Sequence, residues 1–120
     1  RADWPRWPEG WQVTWDGRVP LALPAGGTLA LEGADALPAP VQVTGRVGGE
    51  QLQLPGRTHR HRLKHLLQEA GLPPWDRDAL PVLRDAGTGE VLAAGDAWVA
   101  APLHAWLQAQ GARLRWSRTA

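Results

Sequence analysis

Hydrophobic and polar positions alternate in short runs through the first half of the chain, then change to a helical spacing near its middle. Val41-Gln42-Val43-Thr44 and Gln51-Leu52-Gln53-Leu54 both show the two-residue period of a strand with one buried face. Residues 12–15 and 18–23 read as strands on either side of Asp16-Gly17, a dipeptide favoured in tight hairpin turns. Residues 28–32 form a further strand after Gly26-Gly27. Gly45 to Val47 extends the strand at 41–44 before Gly48-Gly49 turns the chain, and Pro55-Gly56 ends the strand at 51–54. The proline-interrupted stretch 37–40 is too short to be a domain linker.

Leu63, Leu66, Leu67 and Ala70 then fall at i, i+3, i+4 and i+7, the spacing of one helix face. With Thr58 as N-cap, Gly71 past the C-terminus and Pro73-Pro74 blocking continuation, the pattern predicts an amphipathic helix over about 58–70. Its leucines are buried, and His61, Lys64, His65 and Gln68 lie opposite, with Arg62 at one edge. Beyond it the chain predicts one helical turn at 75–79, a strand at 80–84, a turn at 86–90 and a strand at 91–99 interrupted by Gly95. A short helix around Leu103, Trp106 and Leu107 and a last strand at 112–116 complete the set. Many short strands and one main helix imply an α+β fold, a small β-sandwich or barrel-like arrangement in a single domain over 1–120.

Composition narrows the function more than the fold. The absence of cysteine excludes disulfides, thiolate catalysis and cysteine-based zinc sites, and fits a cytoplasmic location. No apolar run reaches membrane-spanning length and no signal peptide opens the chain. A sequence without methionine that starts at Arg1 reads as a piece of a longer chain, with a processed N-terminus as the alternative. Eight tryptophans with no phenylalanine or tyrosine, and a single lysine, Lys64, among the basic residues, point to genome composition more than to a special function. The net charge of +1 hides a strong asymmetry. Residues 57–65 carry +4 with no acid and 97–120 carry +3, whereas 1–56 carry −2 and 66–96 carry −4.

No catalytic constellation emerges. His61 and His65 at i, i+4 could share a helix face, but a zinc site wants a third ligand and the neighbours here are cationic, so no metal is expected. Ser117 lies in an arginine-flanked tail without a nucleophile elbow. Gly26-Gly27 and Gly48-Gly49 lie between strands without a following Lys-Thr or Lys-Ser, so neither reads as a phosphate loop. Asp76 and Asp78 flank Arg77 as a self-neutralising turn. The best chemical signal is the basic segment 57–65, whose guanidinium forks suit phosphate oxygens; its commoner reading is a solvated helix face. Arg113, Arg115 and Arg118 could share a strand face or be a ragged basic terminus. Trp4, Trp7, Trp11 and Trp15 could stack on bases or sugars, or simply pack.

From Gly45 to Val99 a further pattern appears. Arg46-Val47-Gly48-Gly49-Glu50, Leu54-Pro55-Gly56-Arg57, the run Leu63 through Arg77 with its Pro73-Pro74-Trp75, Leu80-Pro81-Val82-Leu83 and Leu92-Ala93-Ala94-Gly95 resemble, in order and spacing, the C-terminal domain of bacterial tRNA(Ile)-lysidine synthetases. The match centres on about 41–99; residues 1–40 and 100–120 agree only in general character.

The resemblance implies a division of labour. In that family an N-terminal domain uses ATP, with Mg, to adenylate C34 of a CAU-anticodon tRNA(Ile), and lysine displaces AMP to leave lysidine. C-terminal domains help bind and select the tRNA. The nucleotide-loop signature is missing from this chain, so the fragment alone is expected to hold no cofactor and no catalytic activity. Its expected partners are tRNA(Ile) and the enzyme's own catalytic domain, and no membrane. Arg46, Arg57, Arg62, Lys64 and Arg77 match basic positions of the family motifs and are the expected tRNA contacts, with Arg60, His61 and His65 as additional ones. His61 and His65 stand where the family often has Lys, Arg or another polar residue, which weakens the basic face near neutral pH. Trp75 is expected to plug the structure. Two alternatives stand beside this reading: an interdomain or protein-packing module without RNA contact, and a sugar-binding sandwich built on the N-terminal tryptophans.

Overall fold

The computed structural model describes residues 5–118. Ten strands and three helices follow in the order β1 (Gln12–Trp15), β2 (Leu21–Ala22), β3 (Thr28–Glu32), β4 (Val41–Thr44), β5 (Gln51–Leu52), β6 (His61–Arg62), α1 (Leu63–Ala70), α2 (Pro74–Ala79), β7 (Val82–Asp85), β8 (Val91–Ala94), β9 (Trp98–Val99), α3 (Ala101–Gln110) and β10 (Arg113–Ser117). All pairings are antiparallel. A five-stranded sheet has the order β1-β4-β7-β8-β9, a three-stranded sheet the order β10-β3-β2, and β5 pairs with β6 alone. The α+β class therefore holds, with α3 rather than α1 as the longest helix.

The five-stranded sheet is the middle layer because its central strands are apolar on both faces. Val43, Leu83 and Ala93 point into a core with Leu29 and Leu114 of the three-stranded sheet and Leu103 and Leu107 of α3. Val82, Val91 and Ala94 point the other way, against Leu52 of β5 and Leu63, Leu66 and Leu67 of α1. A strand buried on both faces reads as a continuous apolar run instead of an alternating one, which is what Leu80 to Leu83 and Val91 to Ala94 show in the sequence. A register shift between Leu83 and Arg84, which face Ala93 and Val91, leaves Leu92 as an extra residue in β8.

Several sequence expectations change. Residues around Asp16-Gly17 do make a tight turn, with the Asp16 carboxylate accepting the Arg18 N–H at 3.0 Å. The flanking strands do not pair with each other, however: β1 joins β4 and β2 joins β3, so the turn carries the chain from one sheet to the other. The predicted helix at 58–70 begins only at Leu63. His61 and Arg62 are extended and pair with Leu52 and Gln51, and the Leu63 N–H donates to the Glu50 carbonyl at 3.0 Å. Strand pairing holds the backbone open where the periodicity and Thr58 suggested a first helical turn. The helix ends as expected at Gly71, whose φ of 68° and N–H bond to the Gln68 carbonyl close a left-handed cap. Ala70, expected on the apolar face, is exposed. The strand expected at 91–99 is a β8–β9 hairpin, with the chain reversing between Ala94 and Trp98.

No helix among the described residues is long and apolar enough to cross a membrane. The leucine face of α1 is its sole deep anchorage, since the helix has no side-chain N-cap and no acid in its first turn. Leu67→Ala should therefore cost about 2–5 kcal/mol of stability, read from urea unfolding; a loss below about 1 kcal/mol would show that α1 is not anchored by this face.

Candidate nucleic-acid interface

The loop 45–50 is organised by one buried carboxylate. Glu50, 5% exposed, accepts the Val47 N–H at 2.7 Å and the Gly48 N–H at 3.1 Å, and pairs with the Arg84 guanidinium of β7 at 3.2 Å. A buried carboxylate is tolerable only with its lone pairs engaged, and these three donors do that. Gly48 and Gly49 adopt φ of 98° and 81°, values that side-chain-bearing residues rarely take, which lets the chain fold back over the carboxylate. The backbone carbonyl of the same residue receives the α1 N–H. Glu50 thus fixes both the loop that carries Arg46 and the strand-to-helix junction that carries Arg62 and Lys64. Neither Glu50's burial nor Arg84's role follows from residue spacing; the Arg-x-Gly-Gly-Glu motif was the available signal.

Of the described lysines and arginines, seven are ion-paired: Arg6 with Asp78, Arg18 with Asp16, Arg60 with Glu90, Arg84 with Glu50, Arg113 and Arg115 with Glu32, and Arg118 with Asp76. Among the described residues, the five without a carboxylate partner are Arg46, Arg57, Arg62, Lys64 and Arg77. Four of them lie on connected backbone. Arg46 is on the Glu50-held loop, Arg62 pairs across the β5–β6 ladder with Gln51, and Lys64 is exposed on the first turn of α1. Arg57 lies 3.3 Å from the His61 ring on β6. Arg77 is half-buried on α2, beside Asp78, which lines a groove together with Arg46.

The remaining expected residues are placed differently from the helical projection. Arg60 is held at 2.7 Å by Glu90 of the β7–β8 turn, although both side chains are about half exposed and such pairs are weak. His61 is on β6 and His65 on α1, so they do not form the i, i+4 pair of a single helix. Among the described residues no group of three metal-ligating side chains is assembled. Arg113 and Arg115 do share a strand face, where both engage Glu32 and their hydrogen bonds hold its carboxyl below the usual carboxylate range. Arg118 stacks over Trp116 and reaches Asp76. These three have carboxylate partners within the fold, although Arg113 and Arg115 share one carboxylate and stay more than half exposed. Trp15 is core, Trp4 lies outside the described residues, and Trp7 and Trp11 stand in contact with ring centroids 5.2 Å apart. Trp75, expected to plug the structure, is 48% exposed, because α2 turns it outward while Ala79 faces the core.

This is a three-layer α+β domain whose distinguishing surface is positive charge left without carboxylate partners. The chain belongs to the TilS substrate C-terminal domain family, which it matches over residues 41–116. It is 53% identical over 117 residues to a tRNA(Ile)-lysidine synthase of Xylella fastidiosa (strain Temecula1), covering 93% of this chain and 26% of the relative. The enzyme of the same name from Xanthomonas campestris pv. campestris is 51% identical over 116 residues, covering 95% and 26%, and that of Pseudomonas putida 43% identical over 82 residues, covering 68% and 18%. A crystal structure of a TilS C-terminal domain superposes with a TM-score of 0.62 at 20% identity, covering 92% of this chain and 99% of that one, so the fold is shared. The chain spans about a quarter of the length of the first two relatives.

If Glu50 organises the loop, Glu50→Gln should destabilise the fold by about 3 kcal/mol, because Arg84 keeps its charge without a carboxylate to offset it. Adding Arg84→Met should recover part of that loss. Denaturant unfolding of the two variants tests this, and a Glu50→Gln cost below about 0.5 kcal/mol would contradict it.

Proposed function

We propose that the surface formed by Arg46, Arg57, Arg62, Lys64 and Arg77 binds tRNA, and that the domain serves substrate recognition in a tRNA(Ile)-lysidine synthase. The observation that carries this reading is the partition of charge: the cations elsewhere have carboxylate partners, and these five do not. Phosphate oxygens suit them, since guanidinium forks match phosphate geometry and each neutralised phosphate releases a condensed counterion. Arg62, Lys64 and His65 lie at the positive end of the α1 dipole, and the helix has no acid in its first turn to offset them. A paired RNA stem is read mostly by shape and backbone, which asks for spread cations more than for a deep pocket.

In this reading the substrate is tRNA(Ile) with a CAU anticodon. The ATP-dependent, Mg-assisted chemistry belongs to the enzyme's own catalytic domain, and the enzyme works in the cytoplasm. Arg60 joins the contact surface by exchanging Glu90 for a phosphate, and His61 and His65 add charge only when protonated.

The test is tRNA(Ile) binding by this chain across a salt series, followed by fluorescence anisotropy. Reversing Arg57, Arg62 and Lys64 to Glu should weaken binding at least tenfold and flatten the log–log salt slope by about two to three. Neutralising the paired Arg113 and Arg115 to Gln should change it about twofold or less. A triple reversal that binds tRNA as the parent does, yet loses association with the catalytic domain, would replace this reading with that of an interdomain packing module.

A further inference from the structure

A groove of about 550 Å³ opens between the N-terminal segment and the Glu50-held loop, within the roughly 300–1,000 Å³ of small-molecule clefts. One wall is aromatic. A turn in which the Trp11 N–H donates to the Pro8 carbonyl at 3.1 Å brings Trp11 beside Trp7, with the indole planes tilted by 47°. Trp7 is pinned from behind by Gly45, where an added Cβ would lie 2.6 Å from the indole Cγ; only glycine lets the ring seat there. Both indoles are half-buried, so each keeps an open part. The other wall is backbone. Gly48 and Gly49 project no side chain, and a Cβ at either would meet nothing within 4 Å. Arg46, which has no carboxylate partner, joins the two walls.

The polar atoms sort the ligand chemistry. Glu50, although part of the lining, is spent on Val47, Gly48 and Arg84. The Trp7 Nε1 and Arg46 Nε atoms are covered and have no acceptor among the described residues. Both are donor-only groups, so an acceptor oxygen that displaces either side chain slightly gains a bond without breaking one. Glu9, the other carboxylate of the lining, is exposed at the rim, where it suits an exocyclic amine better than a second phosphate. A flat aromatic ring, an adjacent anionic oxygen and an amine describe a nucleotide. A sugar ligand would draw on carboxylate acceptors, and the better placed of the two is occupied.

We infer that this groove takes one unpaired nucleotide of the bound RNA, its base against Trp11 and its phosphate toward Arg46, while the cations at 57–64 hold the neighbouring paired region. The inference rests on the RNA-binding reading above and adds a distinct subsite to it. The two can fail separately. Stacking on one indole is sequence-tolerant, so the groove would distinguish unpaired from paired RNA more than one base from another.

The experiment compares two labelled RNAs on this chain by anisotropy: a blunt hairpin, and the same hairpin extended by a short unpaired tail of adenosines. The tail should tighten binding about tenfold. Trp11→Leu, which fills the space without an aromatic face, should remove that gain and leave blunt-hairpin affinity within about twofold. Trp11→Phe should keep most of the gain. Equal binding of the two RNAs by the parent chain, or equal behaviour of the Leu and Phe variants, would overturn the inference while leaving phosphate recognition standing. Failure to bind either RNA would remove the RNA-binding reading and this subsite with it.

Discussion

The buried Glu50 carboxylate is the interaction on which the basic surface depends. Its oxygens gather two backbone N–H groups of the 45–49 loop and the guanidinium of Arg84, while its carbonyl receives the first N–H of α1. One residue therefore ties β7, the middle strand of the five-stranded sheet, to two separate segments that carry cations. The energetic logic is that of a buried ion: desolvation is costly, and the site is stable only while every donor is in place. That makes the loop an all-or-none element rather than a flexible rim. The glycines at 48 and 49 are the backbone consequence, since the folded-back path needs positive φ at both.

The same sheet explains where the proposed recognition surface can lie. With both faces of β7 and β8 buried, one under the three-stranded sheet and α3 and the other under α1 and the β5–β6 hairpin, the free surface near the middle layer is limited to its edges and overlying loops. On the far side, Arg113 and Arg115 of β10 share the single carboxylate of Glu32, which offsets one of their two charges. On the near side, Glu50 is buried, Glu90 is paired with Arg60 and Asp78 with Arg6, while Glu9 and Glu69 are exposed. The open positive charge is a product of this partition. Net charge alone, at +1, would not have indicated it.

Local pattern read well where local forces decide. The alternation at 41–44, the leucine spacing at 63–67 and the Gly71 cap all correspond to observed elements, because each reflects burial or backbone freedom within a few residues. Pattern failed where distant pairing decides. Asp16-Gly17 turns as its chemistry requires, yet β1 and β2 take partners from different sheets. Residues 58–62 carry a helix-compatible spacing, yet the β5 backbone claims His61 and Arg62 as a strand. The cations of this segment therefore spread along a loop and a strand instead of lining one helix edge. The five basic positions were nameable from the motifs, but their lack of acid partners was not. That property depends on where Glu32, Asp76, Asp78 and Glu90 lie in space, which no spacing rule contains. The Trp7–Trp11 groove was half legible: the tryptophan cluster was evident, its pinning by Gly45 was not.

In the proposed function, RNA meets the protein at the cations without carboxylate partners and not at those bound within the fold. Titrating the isotope-labelled chain with tRNA(Ile) and following backbone amide resonances by NMR tests it most directly. Perturbations should concentrate at residues 46–49, 57–65 and around Arg77, and Arg113 to Ser117 and Arg18 should stay unmoved. Perturbations centred on β10 and Glu32, with the 46–49 loop silent, would contradict it.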